Sequence, residues 1–381
     1  MTRPLSAVVL AAGEGTRMRS ARPKPLHRLC GRPMVLHVLD ALAELPVDLT
    51  VVVVGHGGER VAKAVQEEAP AGLRLAFVEQ RDQRGTGDAV SAALTELPDV
   101  FGGGDGGDLV VLPADTPLLR PPTLAHLVRS HRNAGAAATL LTALVAEPAG
   151  YGRIIRDKEG AVARVVEDAD ATEEERAIAE IATSIYCFRH ELLAPALRRL
   201  SPVNAQGEYY LTDVVAVLHD AGYKVGSVVV EDPTEVAGVN DRAQLAVAEA
   251  ELRDRTNERW MRRGVTMLDP ETTYVDASVK LAPDVTLFPG VMLSGATEVA
   301  AGAEIGPDTR LIDTVVGEGA TVLRTEARLA EIGPGARVGP FGALEPGARV
   351  AAGVVTGPFF RGGGPEPGPA APGPPPPRDD G

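Results

Sequence analysis

The sequence predicts an α/β sandwich on a mostly parallel sheet, followed by a short parallel β-helix of hexapeptide repeats. Three observations carry that reading: apolar runs alternating with helical patterns up to about residue 248, a change of hydrophobic period to six beyond residue 264, and glycines and prolines clustered at the turns of that second region. The runs 7–10, 50–54, 75–78 and 108–112 are apolar but for Thr50 and Asp108 at their starts and rich in β-branched residues, as strands buried on both faces of a parallel sheet are. Residues 34–45, 57–69 and 87–97 carry helix-like patterns between them and complete βαβ units. Shorter runs at 152–156, 162–166, 184–188 and 224–230 read as strands of an inserted or mixed region. Residues 240–263 read as one long connecting helix, apolar at Leu245, Val247, Leu252 and Trp260 and stopped by Gly264; Trp260, the only tryptophan, is expected to pack between domains.

The period then changes. Val275, Leu281, Leu287, Leu293, Val299, Ile305 and Leu311 recur every six residues, the phase slips through Val316 and Val322, and it resumes at Ile332, Val338, Leu344 and Val350. Neither a helix nor an ordinary strand repeats at six, whereas the hexapeptide turns of a parallel β-helix do, each aliphatic side chain pointing into the coil. The expected organisation is an α/β domain over 1–239, a connecting helix over 240–264, a β-helix over 265–356 and a disordered Pro/Gly tail over 357–381, where too few large apolar residues remain to build a core.

The chain has 381 residues, 42 glycines, 31 prolines and a formal net charge of −14. That acidity argues against a non-specific nucleic-acid binder. Its two cysteines, Cys30 and Cys187, have no disulfide-framework or metal spacing, which fits a reducing cytoplasm. The apolar run 5–12 is short and followed by Arg17 and Arg19, so it reads as a buried strand rather than a signal peptide. No stretch reaches the roughly 20 apolar residues of a membrane span.

The strongest local signal for chemistry is LAAGEGTRM over 10–18, directly after the first strand. Gly13 and Gly15 could bring backbone N–H groups close to a phosphate, or could serve only a tight turn; the third glycine of a dinucleotide fingerprint and the closing Gly-Lys-Ser/Thr of a P-loop are both absent. The neighbourhood tilts the balance. Arg17, Arg19, Arg22, Lys24, Arg28 and Arg32 follow with no carboxylate among them up to Leu39, and Lys24 is one of only five lysines in the chain. Such a field suits a polyphosphate. Asp115 stands just beyond the fourth strand, where open α/β sheets bind ligands, and is either a Mg²⁺ ligand or a helix cap. Gln80, with Gly85-Thr86-Gly87 after it, reads a base edge or merely precedes a helix-start turn.

Read together, these segments resemble a known family. LAAGEGTRM, the PKPLH segment over 23–27, Gln80 with Gly85-Thr86-Gly87, ADTPLL over 114–119, Gly150-Tyr151-Gly152-Arg153, Val166-Glu167, NAQGEYYLTD over 204–213 and Gly238-Val239-Asn240 follow the order seen in sugar-nucleotide pyrophosphorylases. With a hexapeptide region after them, the chain resembles the bifunctional N-acetylglucosamine-1-phosphate uridyltransferase/glucosamine-1-phosphate acetyltransferase family, over about residues 5–355. The resemblance implies a Rossmann-like nucleotidyltransferase sandwich and a left-handed β-helix, and a uridylyltransferase that joins UTP to N-acetylglucosamine-1-phosphate. It implies that Ala12, Gly13, Gly15, Gly85 and Thr86 hold UTP, that Gln80 reads uracil, and that Arg17 and Lys24 contact the triphosphate. Asp115 and Asn240 would hold Mg²⁺, and Gly152, Glu167, Tyr210 and Thr212 would line the sugar-phosphate pocket. A homotrimer through the β-helix is a further implication.

The chain also departs from the family pattern. Ala182 replaces an expected Asn, which leaves a different sugar phosphate as an alternative substrate; Ala114 replaces a glycine before Asp115, Asp88 stands where His is common, and Asp241 replaces an Asn. Ala343 and Glu345 stand where amino-sugar-phosphate arginines are expected, and the coils resembling the acetyl-CoA region are missing, so no acetyl transfer is expected. A catalytically silent scaffold of the same shape would have lost the phosphate and metal residues; Arg17, Lys24, Asp115 and Asn240 are all present.

Overall fold

The computed structural model describes residues 3–55, 57–97 and 106–363. The chain divides into two compact units, residues 1–251 and 252–381, so the boundary falls inside the helix Arg242–Arg262 rather than on either side of it.

The first unit is built on a nine-stranded sheet. Its main path runs Val225–Val229, Ala138–Leu144, Glu180–Arg189, Asp108–Pro113, Leu5–Ala11, Leu49–Val54 and Leu75–Glu79; Gly152–Arg156 pairs with Glu180–Arg189 and carries Val162–Val166 on its other side. Leu5–Ala11 is parallel to both Leu49–Val54 and Asp108–Pro113, whereas Glu180–Arg189 runs antiparallel to both of its main-path neighbours. Helices Met34–Ala43, Gly58–Glu68 and Pro121–Ala134 cover one face through Leu36, Leu39, Val61, Val65, Leu124 and Leu127. Helices Thr86–Ala93, His190–Leu197 and Asp213–Asp220 cover the other through Val90, Leu193, Val214 and Leu218. Burial on both faces is why the central strands read as unbroken apolar runs. Because the four N-terminal strands are parallel, their carboxyl ends open on one edge of the sheet, which is where the loops of interest leave it.

Several elements escaped the sequence pattern. The strand Ala138–Leu144 begins in an alanine run that favours neither period, and the strand expected at 184–188 is the second half of Glu180–Arg189, whose register with Ala138–Leu144 shifts between Ala182 and Tyr186. Ser184 in that shift has a positive φ of 59°.

At the amino end of Asp108–Pro113 lies a buried polar cluster. Asp108 is 1% exposed, accepts a 2.6 Å hydrogen bond from Arg132 Nε and lies 3.6 Å from His131 Nε2. Arg132 also donates to the Arg3 carbonyl, and His131 Nδ1 is 3.0 Å from Thr139 Oγ1.

The second unit is a β-helix of three parallel ladders with five, six and five strands. Every aliphatic residue of the six-residue repeat is buried inside it, and the phase slip is a local shortening of the coil: Lys280 pairs with Glu298, but Arg310 pairs with Glu326 and Val315 with Glu331, two residues sooner. Ala327, fully buried, fills the inward position that the aliphatic pattern skipped, since its methyl group is too small to register as part of the repeat. Two expectations are corrected. Trp260 belongs to the β-helix's own core cluster, with Arg259 and Arg263 each 5.5 Å from its ring, and the fully buried Asn257 ties the helix to the first coil by donating to the Pro270 and Thr273 carbonyls at 2.9 Å. The tail does not begin at 357: Arg361–Gly362 pairs with Ala343–Leu344, Phe359 stacks on Phe341 at 5.2 Å, and Phe360 packs against the core. Strand pairing and the partly buried Phe360 thus carry the coil past the point where glycine and proline dominate; residues 364–381 of the expected tail lie outside the described residues. No described helix is long and apolar enough to cross a membrane.

Candidate active site

Four residues distant in sequence meet at the carboxyl edge of the first unit's sheet. Lys24 Nζ forms a short ion pair with Asp115 Oδ2 and donates to Asn240 Oδ1 at 2.9 Å, and Arg17 donates to the same Asn240 oxygen at 2.9 Å. The elements explain the convergence. Arg17 lies in the short turn Thr16–Met18 that leaves the first strand, Lys24 opens the turn Lys24–Leu26, Asp115 follows Asp108–Pro113, and Asn240 precedes the helix Arg242–Arg262. A backbone bond holds the last two together, Val239 N donating to the Asp115 carbonyl at 2.9 Å, and Asn240 N is itself fixed by donating to the side-chain Oε1 of Gln244 at 2.7 Å. Gln244 is a site residue that sequence reasoning missed, since a Gln in a helical pattern carries no signal of its own.

Gly15 has a direct structural reason. Its φ is +63°, and a Cβ there would lie 2.6 Å from Lys24 Cβ, so only glycine lets the lysine stem pass. Gly15→Ala is expected to cost about 1–2 kcal/mol in urea denaturation and to lower turnover by displacing Lys24. Gly13 is exposed, and no atom lies within 4 Å of a Cβ built there, which leaves open space beside its backbone.

The segment 80–88 is held by contacts of its own to the 208–211 segment. Gly85, at φ +106°, would place a Cβ 2.7 Å from the Tyr209 carbonyl oxygen; Gly87 N donates to that oxygen, Tyr209 N donates to the Arg84 carbonyl, and Thr86 Oγ1 accepts from Leu211 N at 2.9 Å. In this structure, therefore, Gly85 and Thr86 clamp the 208–211 segment. Gln80 is 6% exposed, and its Nε2 donates to the Gly85 carbonyl at 3.0 Å and to Asp88 Oδ2 at 2.9 Å. Gln83, unremarked in the sequence, donates to the Ala12 carbonyl at 2.7 Å and so joins this segment to the glycine loop. An open cavity of about 1120 Å³ is lined by Glu14, Gly55, Arg60, Gln80, Gln83 and Arg84, among others.

A second cluster gathers Gly152, Ala182, Glu167, Thr212 and Tyr210. Gly152 pairs with Ala182 across the sheet, a Cβ at 152 would be 3.5 Å from Glu167 Oε2, and Thr212 Oγ1 donates to Glu167 Oε1 at 2.9 Å. Burial lifts the Glu167 carboxyl above its ordinary range; the Thr212 hydroxyl draws it partly back, and Asp213, Asp170 and Asp168 add to the rise. Burial, followed by the charges of Asp170 and Glu167, pushes the Tyr210 phenol up to about 12. Arg153 is 1% exposed and pairs with Asp168 at 3.0 Å while donating to the Tyr151 carbonyl, so the Gly-Tyr-Gly-Arg turn is braced from within. Ala182 is 5% exposed, in apolar surroundings. The methyl group of Ala114, 3% exposed, packs into the core beneath the opposite face. His37, 9% exposed, contacts the Leu29 carbonyl at 3.0 Å and so has a structural role.

Comparison with known proteins shows the family. Residues 7–207 match the family model of the MobA-like NTP transferase domain. Proteins described as bifunctional protein GlmU are similar over almost the whole chain. That of Kineococcus radiotolerans is 48% identical over 356 residues, covering 93% of this chain and 71% of the relative. That of Streptomyces avermitilis is 48% identical, covering 94% and 73%, and that of Rhodococcus jostii is 49% identical, covering 93% and 71%. The chain belongs to the GlmU family and is a nucleotidyltransferase, a UDP-N-acetylglucosamine diphosphorylase.

Proposed function

We propose that the Arg17/Lys24/Asp115/Asn240 cluster is the nucleotidyl-transfer centre, with Mg²⁺ as the divalent cofactor. The observation that carries this reading is the pair of oxygens from Asp115 and Asn240 converging on one ammonium group, Lys24 Nζ. Two oxygen ligands at a point that already accommodates positive charge suit Mg²⁺, which keeps several waters and shares its shell with substrate phosphates. Among the described residues there is no group of three or more His, Cys, Asp or Glu that would make a closed all-protein metal cage. When bound, Mg²⁺ supplies charge neutralisation on the phosphate oxygens.

The chain's own residues do the rest by positioning. The open space at Gly13 admits a phosphate to the loop backbone, Lys24 and Arg17 offset charge on the departing pyrophosphate, and Gln80 reads the base. An oxygen of the sugar-1-phosphate attacks the α-phosphorus of UTP, a P–O bond forms there, and the bond to the β-phosphate breaks to release pyrophosphate. No protein nucleophile is required. Glu167 and Thr212 receive the sugar, with Ala182 offering only a methyl group at that wall. Because the Glu167 carboxyl is held high by burial, sugar binding weakens on acidification at a pH above the range in which exposed glutamates titrate. The expected result is a KM for the sugar phosphate that rises as pH falls through that window, and a flat limb in Glu167→Gln.

The test offers the full chain UTP, Mg²⁺ and a panel of sugar 1-phosphates and measures pyrophosphate release and product mass. Turnover on N-acetylglucosamine-1-phosphate is expected; turnover on glucose-1-phosphate alone would replace the sugar assignment, a reading that Ala182 favours. Ala343 and the exposed Glu345 offer no cation to an amino-sugar phosphate, so glucosamine-1-phosphate and acetyl-CoA are expected to release no CoA. A homotrimer through the β-helix and a cytoplasmic location complete the reading; sedimentation should give three times the 39.7 kDa chain mass.

A further inference from the structure

We propose that Asp88 is a positioning residue that sets base selectivity by fixing which end of the Gln80 amide faces the nucleotide. The inference rests on the reading of Gln80 as the base reader and deepens it. A glutamine amide is ambivalent: its Oε1 accepts and its Nε2 donates two hydrogens. Here both hydrogens are committed, one to the Gly85 carbonyl at 3.0 Å and one to Asp88 Oδ2 at 2.9 Å. Neither partner donates, since a carbonyl and a carboxylate accept, so a flipped amide would set oxygen against oxygen. What the side chain has left to offer is the acceptor Oε1, on a residue that is 6% exposed yet lines the open cavity.

Uracil presents an N–H at ring position 3; cytosine presents a bare lone pair there. An acceptor held in place suits the first and repels the second. A site that aligns a buried hydrogen-bonding group discriminates more strongly than one that adapts to both bases. Asp88 lies in the first turn of Thr86–Ala93, so a purely structural alternative exists: a carboxylate serving the helix dipole. The two roles separate experimentally.

The full chain is assayed with N-acetylglucosamine-1-phosphate and either UTP or CTP, together with Asp88→Ala, Asp88→Asn, Asp88→Lys, Gln80→Ala and the Gln80→Ala/Asp88→Ala double variant. In Asp88→Ala the kcat/KM ratio of UTP over CTP is expected to fall about tenfold, chiefly through KM for UTP, because one hydrogen bond to a charged group no longer orients the amide. Asp88→Asn, which keeps an acceptor oxygen, restores most of the ratio; Asp88→Lys, which presents a donor, lowers it at least as far as alanine does. In the Gln80→Ala background Asp88→Ala changes the ratio no further, as expected when one residue acts through the other. The proposal is overturned if Asp88→Ala lowers the melting temperature while the ratio holds, or if the two substitutions reduce the ratio additively. A wild-type chain that releases no pyrophosphate from UTP with any sugar phosphate overturns the uridylyltransferase reading itself, a distinct outcome.

Discussion

Asp115→Ala is expected to lower kcat for pyrophosphate release about 100- to 1,000-fold, the scale seen when one preorganised charge-stabilising group is removed from a reaction centre. The geometry makes the effect specific to chemistry. Asp115 supplies the only carboxylate of the four-residue cluster, and its loss removes the strongest oxygen ligand available to a divalent cation while leaving Lys24 bonded to Asn240 at 2.9 Å. The Lys24–Asp115 pair is partly solvated, with side-chain exposures of 13% and 25%, so its contribution to folding is about 1 kcal/mol or less. Thermal melts of the variant should therefore nearly overlay those of the parent. Asp115→Asn keeps an oxygen without the charge and should fall between the two. A variant that melts normally yet retains more than a tenth of the parent's kcat would remove Asp115 from the centre.

Asp108→Ala reverses the pattern: a large loss of stability with kcat preserved below the unfolding transition. Its carboxylate is buried at the amino end of the strand whose opposite end leads to Asp115. Removing it strips Arg132 and His131 of their buried partner and should cost about 3 kcal/mol, the low end for a broken buried pair because Arg132 keeps some exposure to water. The pH dependence follows from the same contacts. Burial pushes the Asp108 carboxyl up, but the neighbouring His131 imidazole and the hydrogen-bonded Arg132 guanidinium outweigh it and hold the group below the ordinary carboxylate range. The folded state thus binds this proton less readily than the unfolded chain. The stabilisation is complete above the unfolded carboxyl's titration range and is lost as pH falls through the lower folded value. Urea midpoints measured across acidic pH should show that decline in the parent and a flatter curve in Asp108→Asn.

Much of the site was legible because its residues are unusual where they stand. A run of arginines and one of five lysines in an acidic chain, glycines directly after a strand and an aspartate directly beyond another each conflict with their surroundings enough to be noticed. Gln244, Gln83 and Asp168 were not legible. Their roles come entirely from partners far away or across a turn: the Asn240 backbone, the Ala12 carbonyl and the buried Arg153 guanidinium. Gly85 and Thr86 were legible as a feature, but the partner that requires them is the 208–211 segment, more than a hundred residues on. Trp260 shows the same limit: its size announces burial, while the choice of core depends on what the following coils bring against it.

The sequence by itself determined the fold class, the change from βαβ units to hexapeptide coils and the chemical type of the site, because hydrophobic period and backbone-permissive residues act locally and leave a trace in the order of amino acids. Only the tertiary structure decided which hydrogen-bonding end of Gln80 is spent on Gly85 and Asp88, which core takes Trp260, and that Lys24 lies between Asp115 and Asn240. Those outcomes turn on distances of about 3 Å between groups that the chain separates by up to 216 residues, and no local pattern encodes them.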